Sequence, residues 1–137
     1  MQLLTKKKLL LSLFLIFSLF IYLVSSLPFY SGDVKNHHAW AKSILSFGSF
    51  GFYEREIDGF YPPNYPPVII YLFTLGYFLY QKIYDLSWYL NLSLQFFPSQ
   101  IIPFLEWENT QFAFLKIPGI LANIFIAWGV FLVLPFL

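Results

Sequence analysis

Residues 9–27 have the sequence LLLSLFLIFSLFIYLVSSL, and this stretch decides the fold class. It contains no charged residue and is long enough to cross a hydrocarbon core of about 30 Å as a helix. Three lysines at 6–8 precede it, and basic residues favour the cytoplasmic side, so the chain after this stretch is expected on the other side. The alternative is a cleaved signal peptide, but the run exceeds the usual core of ~7–15 residues and no small-residue cleavage site follows. We therefore predict a cytoplasmic N-terminus at 1–8 and a transmembrane helix at 9–27.

The composition of the whole chain also points to lipid. Of 137 residues, 58% are hydrophobic, 23% aromatic and only 11% charged, far from the balance of a soluble domain. The net charge of +1 lacks the basic excess of a nucleic-acid binder, and the absence of cysteine excludes disulfides and thiolate metal sites. The expected partners are membrane lipids and lipid-linked molecules, and no nucleic acid.

Two further apolar stretches predict spans at 68–84 and 117–137, and hence an all-α, polytopic fold. Residues 85–116 mix aromatic and polar side chains with two prolines, which predicts an interfacial or cytoplasmic segment. Lys116 is then expected on the cytoplasmic side, together with the lysines at 6–8. Because the chain stops at the end of the third span, we expect it to be the N-terminal part of a longer protein.

The first extracytoplasmic loop, 28–67, is the polar part of the chain. After Ser31, apolar residues recur at helical spacing until Gly48, which predicts an amphipathic helix that lies on the membrane. Two Tyr-Pro-Pro sequences at 61–67 then predict an extended segment, because proline lacks an N–H and restricts the preceding residue.

Asp33 is the first candidate for chemistry in this loop. It follows the first span directly, at the depth where a polyprenyl phosphate would present its sugar. A carboxylate there can act as the general base that takes the proton of an acceptor hydroxyl. The alternative is that Asp33 merely caps the helix.

His37 and Trp40 follow Asp33 at helical spacing and share its face, whereas His38 points about 100° away. This face could hold a phosphate or a sugar. The alternative is a solvent-exposed histidine and an interfacial tryptophan. Asp58 belongs to a short acidic stretch and is its member nearest the prolines, so it is a candidate to assist the reaction. The alternative is that this stretch is only a solvated loop. No dependable metal-ligand spacing occurs, so no metal or cofactor is predicted.

The order of several short motifs resembles a known family. The motifs are Gly32-Asp33, Trp40, Tyr65-Pro66-Pro67, Phe114-Leu115-Lys116 and Ile120-Leu121-Ala122-Asn123-Ile124. This order resembles the GT-C superfamily of lipid-phosphate-sugar glycosyltransferases, most closely the dolichyl-phosphate-glucose-dependent glucosyltransferases of asparagine-linked glycan assembly. The chain departs from that pattern at Asn64 and Asn123, where the family has aspartate.

The resemblance implies an inverting, multi-pass hexosyltransferase, either a glucosyltransferase or a mannosyltransferase, without a required metal. The implied base is Asp33, and the implied donor is a polyprenyl-phosphate sugar. The acceptor would be a glycan, lipid or protein, in a prokaryotic plasma membrane or the endoplasmic reticulum. Candidates for substrate contacts are His37, His38, Trp40, Asp58 and Tyr65. The rival hypothesis is a non-enzymatic membrane protein, such as part of a transporter or a scaffold subunit.

Overall fold

The structure is a computed structural model that describes residues 2–28 and 31–133. Within these residues the protein is all-α, and no strand forms. The helices are α1 (Gln2–Ser26), α2 (Gly32–Phe47), α3 (Pro67–Ser93), α4 (Ile101–Glu106) and α5 (Glu108–Val133), with a 3₁₀ turn at Phe52–Glu54. The all-α class predicted from the sequence is therefore confirmed for the described part of the chain.

Both ends of α2 follow from its local sequence. Ser31 is extended (φ −84°, ψ 160°), and its carbonyl accepts the first hydrogen bond of the helix from the Val34 N–H at 3.1 Å. The helix ends at Gly48, whose φ of 78° suits glycine and whose N–H donates to the Ile44 carbonyl at 2.8 Å. The predicted stop at Gly48 is confirmed.

The apolar face of α2 is covered by protein. Val34 and Ala41 are buried against Tyr77 of α3 in one core cluster, while Trp40 and Ile44 pack with other side chains in a second. The sequence pattern predicts that this face lies on the membrane. The structure corrects that prediction, because α3 occupies the same apolar face.

Helix α3 begins at Pro67, where the fixed φ of proline suits the first helical turn. The sequence predicts a span at 68–84, but the helix runs on to Ser93. The reason is local: no proline or glycine occurs between Gln81 and Phe97 to stop it.

Helix α5 begins at Glu108 rather than at the predicted 117, and it continues through Pro118. Because proline has no N–H, the carbonyl of Phe114 has no helical donor at that position. Gly76 of α3 lies against this carbonyl, so closely that a Cβ on Gly76 would be 2.6 Å from the oxygen. Helices α3 and α5 thus approach each other closely where the hydrogen bonding of α5 is interrupted.

By length and composition, one helix in the described residues can cross a membrane, Glu108–Val130, and the apolar stretch Ser12–Ser26 of α1 is shorter. The predicted span at 68–84 does not meet this criterion. Of the three spans predicted from the sequence, only the third therefore overlaps a described helix that is long and apolar enough to cross a membrane.

A hydrogen bond between α1 and α5 fixes how these helices meet. The Lys116 ammonium donates to the Ser26 carbonyl at 2.7 Å. Lys116 therefore lies at the C-terminal end of α1, opposite the lysines at 6–8. If α1 crosses a membrane, Lys116 is on the other side from those lysines, whereas the sequence pattern predicts the same side.

Candidate functional site

Asp33 is an exposed carboxylate in the first turn of α2. It does not occupy the capping position, which belongs to Ser31, and it makes no hydrogen bond or ion pair within residues 2–28 and 31–133. The partial positive charge of the helix N-terminus favours a carboxylate there. Asp33 is therefore an exposed first-turn carboxylate and not the N-cap of α2.

His37 lies one turn after Asp33 and is enclosed by aromatic rings. It stacks on Phe73 with a centroid distance of 4.1 Å, meets Tyr65 edge-on at 4.8 Å and lies 5.3 Å from Trp40. Its Nε2 is buried and has no hydrogen-bond partner among the described residues. Burial lowers the pKa of His37, and the Asp33 carboxylate partly opposes this shift. We call His37, Trp40, Tyr65 and Phe73 the His37 cluster.

His38 faces a different part of the molecule. Its ring lies edge-on to Tyr77 at 4.8 Å and to Phe112 at 5.6 Å, and its Nε2 is also buried without a hydrogen bond in the described structure. Burial lowers the pKa of His38, and the Lys42 ammonium lowers it further, while two polar side chains of α5 act in the opposite direction. The structure thus brings His37, Trp40 and Tyr65 together but directs His38 toward α5.

Trp40 fastens the proline-rich segment to α2. Its side chain is 2% exposed, and its indole N–H donates to the Tyr61 carbonyl at 2.9 Å. The Tyr61 N–H donates in turn to Asn36 Oδ1 at 3.2 Å, and the Tyr53 hydroxyl donates to the Tyr65 carbonyl at 2.8 Å. Trp40 has no polar atom left for a sugar, so its place in the site is to position Tyr61 and Tyr65.

Asp58 lies exposed in a turn after the 3₁₀ turn Phe52–Glu54, and no described hydrogen bond or ion pair involves it. Its neighbour Arg55 is the residue that holds this loop. The Arg55 guanidinium donates to the carbonyl and hydroxyl of Ser43 and to the carbonyls of Gly48 and Phe50, at 2.9–3.1 Å. Arg55 therefore satisfies carbonyls at the end of α2, while Asp58 is not tied to the His37 cluster by any such contact.

A polar cleft of about 490 Å³ opens between α3 and the joint of α4 and α5. One wall consists of tyrosines whose rings lie in succession along α3, at centroid distances of 5.7 and 6.0 Å. The opposite wall is held by Glu106, whose Oε1 accepts from the Tyr84 hydroxyl at 2.8 Å and whose carbonyl accepts from the Gln111 amide at 3.1 Å. The lining residues are Tyr77, Tyr80, Gln81, Tyr84, Asp85, Glu106 and Gln111.

This cleft has the size and chemistry for a neutral, hydroxyl-rich ligand. Aromatic faces can cover the apolar side of such a ligand, and amides and carboxylates can bond its hydroxyls. The carboxylates of Asp85 and Glu106 disfavour an anion in the same place. Sequence reasoning missed the cleft, although the spacing of Tyr77, Tyr80 and Tyr84 places these rings on one face of a helix.

Among the described residues, no group of three or more histidine, aspartate or glutamate side chains is arranged to hold a metal ion. Comparison of the chain with protein-family models, curated proteins and solved structures gives no match.

Proposed function

We propose that this chain forms part of a membrane glycosyltransferase that transfers a hexose from a polyprenyl-phosphate donor to an extracytoplasmic acceptor. The observation that carries the proposal is that two motifs of the GT-C resemblance, Trp40 and Tyr65-Pro66-Pro67, pack together on the helix that carries Asp33. Asp33 is exposed in the first turn of α2. Two turns later, the Trp40 indole N–H donates to the Tyr61 carbonyl of the first Tyr-Pro-Pro sequence, and the Trp40 ring lies 5.9 Å from the Tyr65 ring of the second. Residues far apart in sequence thus pack together on the helix that carries this carboxylate.

The proposed membrane arrangement differs from the one that the sequence pattern predicts. Helix α1 and the apolar part of α5 cross the bilayer side by side, and 31–116 lies outside the cytoplasm. The contact between α1 and α5 and the bond from Lys116 to Ser26 support this arrangement. Residues 8–26 of α1 extend about 27 Å, close to the thickness of the hydrocarbon core.

In the proposed reaction, an acceptor hydroxyl attacks the anomeric carbon of the donor sugar. The bond from that carbon to the phosphate oxygen breaks, the electron pair leaves with the phosphate, and the Asp33 carboxylate takes the hydroxyl proton. The anomeric configuration inverts. The polar cleft suits the neutral acceptor better than the charged donor, because Asp85 and Glu106 would repel a phosphate.

The test is the substitution Asp33→Asn, made in the gene of the protein. Transfer is then assayed in membranes of the cells that express the variant. We expect hexose transfer from the polyprenyl-phosphate donor to fall at least ~10²-fold in kcat, because the base is lost. Glu56→Gln, which neutralises another exposed carboxylate in the same loop, should leave transfer unchanged.

Because Asp33 makes no hydrogen bond or ion pair in the described structure, the Asn variant should accumulate and unfold much like the wild type. Near-normal transfer by Asp33→Asn would contradict the assignment of the base. If wild-type membranes show no donor-dependent transfer that exceeds membranes lacking the protein, the non-enzymatic alternative becomes the better hypothesis.

A further inference from the structure

The sequence Asn91-Leu92-Ser93 lies in the last turn of α3. It matches the Asn-x-Ser/Thr pattern of acceptor sites for asparagine-linked glycans, and the chain contains this pattern once. No residue of the candidate functional site belongs to it. Because the pattern is short, its position in the fold and relative to the membrane decides whether it can be used.

The pattern is accessible at the end of its helix. Helix α3 ends at Ser93, and Leu94 after it is extended (φ −124°, ψ 115°). Leu92 and Ser93 are exposed, and Asn91 is half-buried. Acceptor sites of this kind are used in surface segments outside regular helix, and the last turn of a helix is the part that unwinds at the lowest cost. The pattern therefore lies where a transferase can reach it.

One hydrogen bond orients the carboxamide of Asn91. The Ser99 hydroxyl donates to Asn91 Oδ1 at 2.7 Å. This bond holds the oxygen toward the segment after α3. It leaves Nδ2, the atom to which a glycan is attached, without a hydrogen bond among the described contacts. A glycan on Nδ2 is thus compatible with the bond that the folded chain makes.

Helix α3 runs antiparallel to the first half of α5. Gly76 lies against the Phe114 carbonyl, and the Tyr80 ring lies 5.6 Å from the Phe114 ring. Further along α3, the Tyr84 hydroxyl donates to Glu106, which precedes α5. In the proposed membrane arrangement the later part of α5 crosses the bilayer. The second half of α3 therefore leads away from the bilayer.

Asn91 is near the far end of that half. Phe114, which Gly76 touches, is two residues before Lys116, and Lys116 bonds Ser26 at the end of α1. In the proposed arrangement this level is the extracytoplasmic surface of the membrane. Asn91 follows Gly76 by 15 residues, or about 22 Å along the helix axis. The acceptor pattern is thus on the extracytoplasmic side, where glycans are attached, and well clear of the lipid headgroups.

Exposed apolar side chains flank Asn91 at this end of α3. Tyr89 is 66% exposed, Leu92 79% and Phe96 83%. At this distance from the bilayer, lipid cannot cover them. A glycan attached among these side chains is bulky and solubilising, and it would shield them from other proteins.

We propose that Asn91 is the attachment site of an asparagine-linked glycan. The co-reactant is a lipid-pyrophosphate-linked oligosaccharide, and an oligosaccharyltransferase of the same membrane performs the transfer. A bond forms between Nδ2 and the anomeric carbon, the bond from that carbon to the pyrophosphate oxygen breaks, and its electron pair leaves with the pyrophosphate. One Nδ2 proton passes to a base of the transferase. This inference rests on the proposed membrane arrangement and not on the proposed reaction of Asp33.

The test is translation of the full chain in the presence of endoplasmic reticulum microsomes. We expect one product of lower electrophoretic mobility, which endoglycosidase H returns to the mobility of the unmodified chain. Ser93→Ala should abolish this product and Ser93→Thr should retain it, because the pattern requires a hydroxyl at that position. Both changes are at an exposed residue, so a difference between them reports the acceptor pattern and not the packing of α3.

A second acceptor pattern, made by Glu56→Asn with Asp58→Ser in the Ser93→Ala variant, is the control in an exposed loop of the same extracytoplasmic unit. Glycosylation of this control but not of the wild type would overturn the assignment of Asn91. Absence of a glycan from both would overturn the membrane arrangement and the inference with it. Asn91→Gln should leave Asp33-dependent hexose transfer unchanged, so neither failure would be confused with a failure of the proposed reaction.

Discussion

At the scale of single residues, the fold controls the charge of the two histidines of α2. Both rings are packed among aromatic side chains, and both Nε2 atoms lack a hydrogen bond in the described structure. An imidazolium in such a place would lose much of its hydration, and this burial is the largest cause of the lowered pKa of both rings. We therefore treat both rings as neutral at pH 7, which suits a packing role more than a phosphate contact.

The lowered pKa values predict that the folded state weakens in mild acid. Because the unfolded chain takes up protons near pH 6.5 and the folded chain only at lower pH, the free energy of unfolding should fall as the pH drops below about 6.5. The groups that modulate this are Asp33 for His37, and Lys42, Gln111 and Glu108 for His38. Thermal unfolding midpoints in detergent between pH 7.5 and 5, roughly the range in which histidine titrates, measure the effect.

The matched variant is the double change of His37→Gln and His38→Gln, which removes both histidines of the chain. It keeps an amide near each Nε2 but cannot take up a proton, so its midpoint should change much less over that pH range. An equal acid-induced loss in the wild type and the double variant would show that other groups cause it.

The direction of a side chain could be predicted from sequence spacing only where both residues lie on one helix. The divergence of His37 and His38 follows from the helical period and was predicted. The burial of Trp40 and its bond to Tyr61 could not be predicted, because they depend on how a loop 21 residues away folds back onto α2. The polar cleft was missed for the same reason, since Glu106 and Gln111 reach it from another part of the chain.

At the scale of helices, Gly76 and Pro118 form the joint between α3 and α5. Pro118 removes the hydrogen bond to the Phe114 carbonyl, and the absence of a side chain at Gly76 lets the backbone of α3 approach that oxygen. Cα–H groups commonly contact carbonyls at such helix crossings. This joint links the α3 wall of the cleft to the helix that carries the full-length membrane candidate.

Gly76→Ala should therefore destabilise the protein, although alanine is the better helix former. The added Cβ would lie 2.6 Å from the Phe114 oxygen, so α3 and α5 must separate, at a cost of about 1–3 kcal/mol in the free energy of unfolding. Gly119→Ala is the control, because a Cβ there meets nothing within 4 Å, and it should be neutral or slightly stabilising. Equal unfolding midpoints for the two variants would contradict the close approach.

Helix boundaries were predictable where glycine or proline sets them, at Gly48 and Pro67. The end of α3 and the start of α5 were not, because the prediction took a span to be a whole helix. Helix α5 continues into polar sequence, where hydrogen bonding does not depend on hydrophobicity. Its passage through Pro118 is possible because the helix tolerates one missing bond beside the Gly76 joint.

At the scale of the whole molecule, the proposed arrangement differs from the sequence-based prediction in which segments cross the membrane. A hydropathy pattern ranks segments one at a time, so it predicts a span at 68–84 and an interfacial or cytoplasmic segment at 85–116. Packing combines them differently: α3 contacts α2, α4 and α5, and Lys116 bonds the far end of α1. We propose that 31–116 forms one helical unit outside the cytoplasm, with Asp33 and the cleft on the same side.

The most direct test of that unit is the sidedness of single cysteines in sealed vesicles of known orientation. The sites are Lys7→Cys before the first span, Ser46→Cys in α2 and Gln95→Cys after α3, the last two of them exposed. With a membrane-impermeant maleimide, we expect Ser46→Cys and Gln95→Cys to react from the same side and Lys7→Cys from the other. Labelling of Gln95→Cys from the side of Lys7→Cys would show that α3 crosses the bilayer, and it would contradict the proposed arrangement.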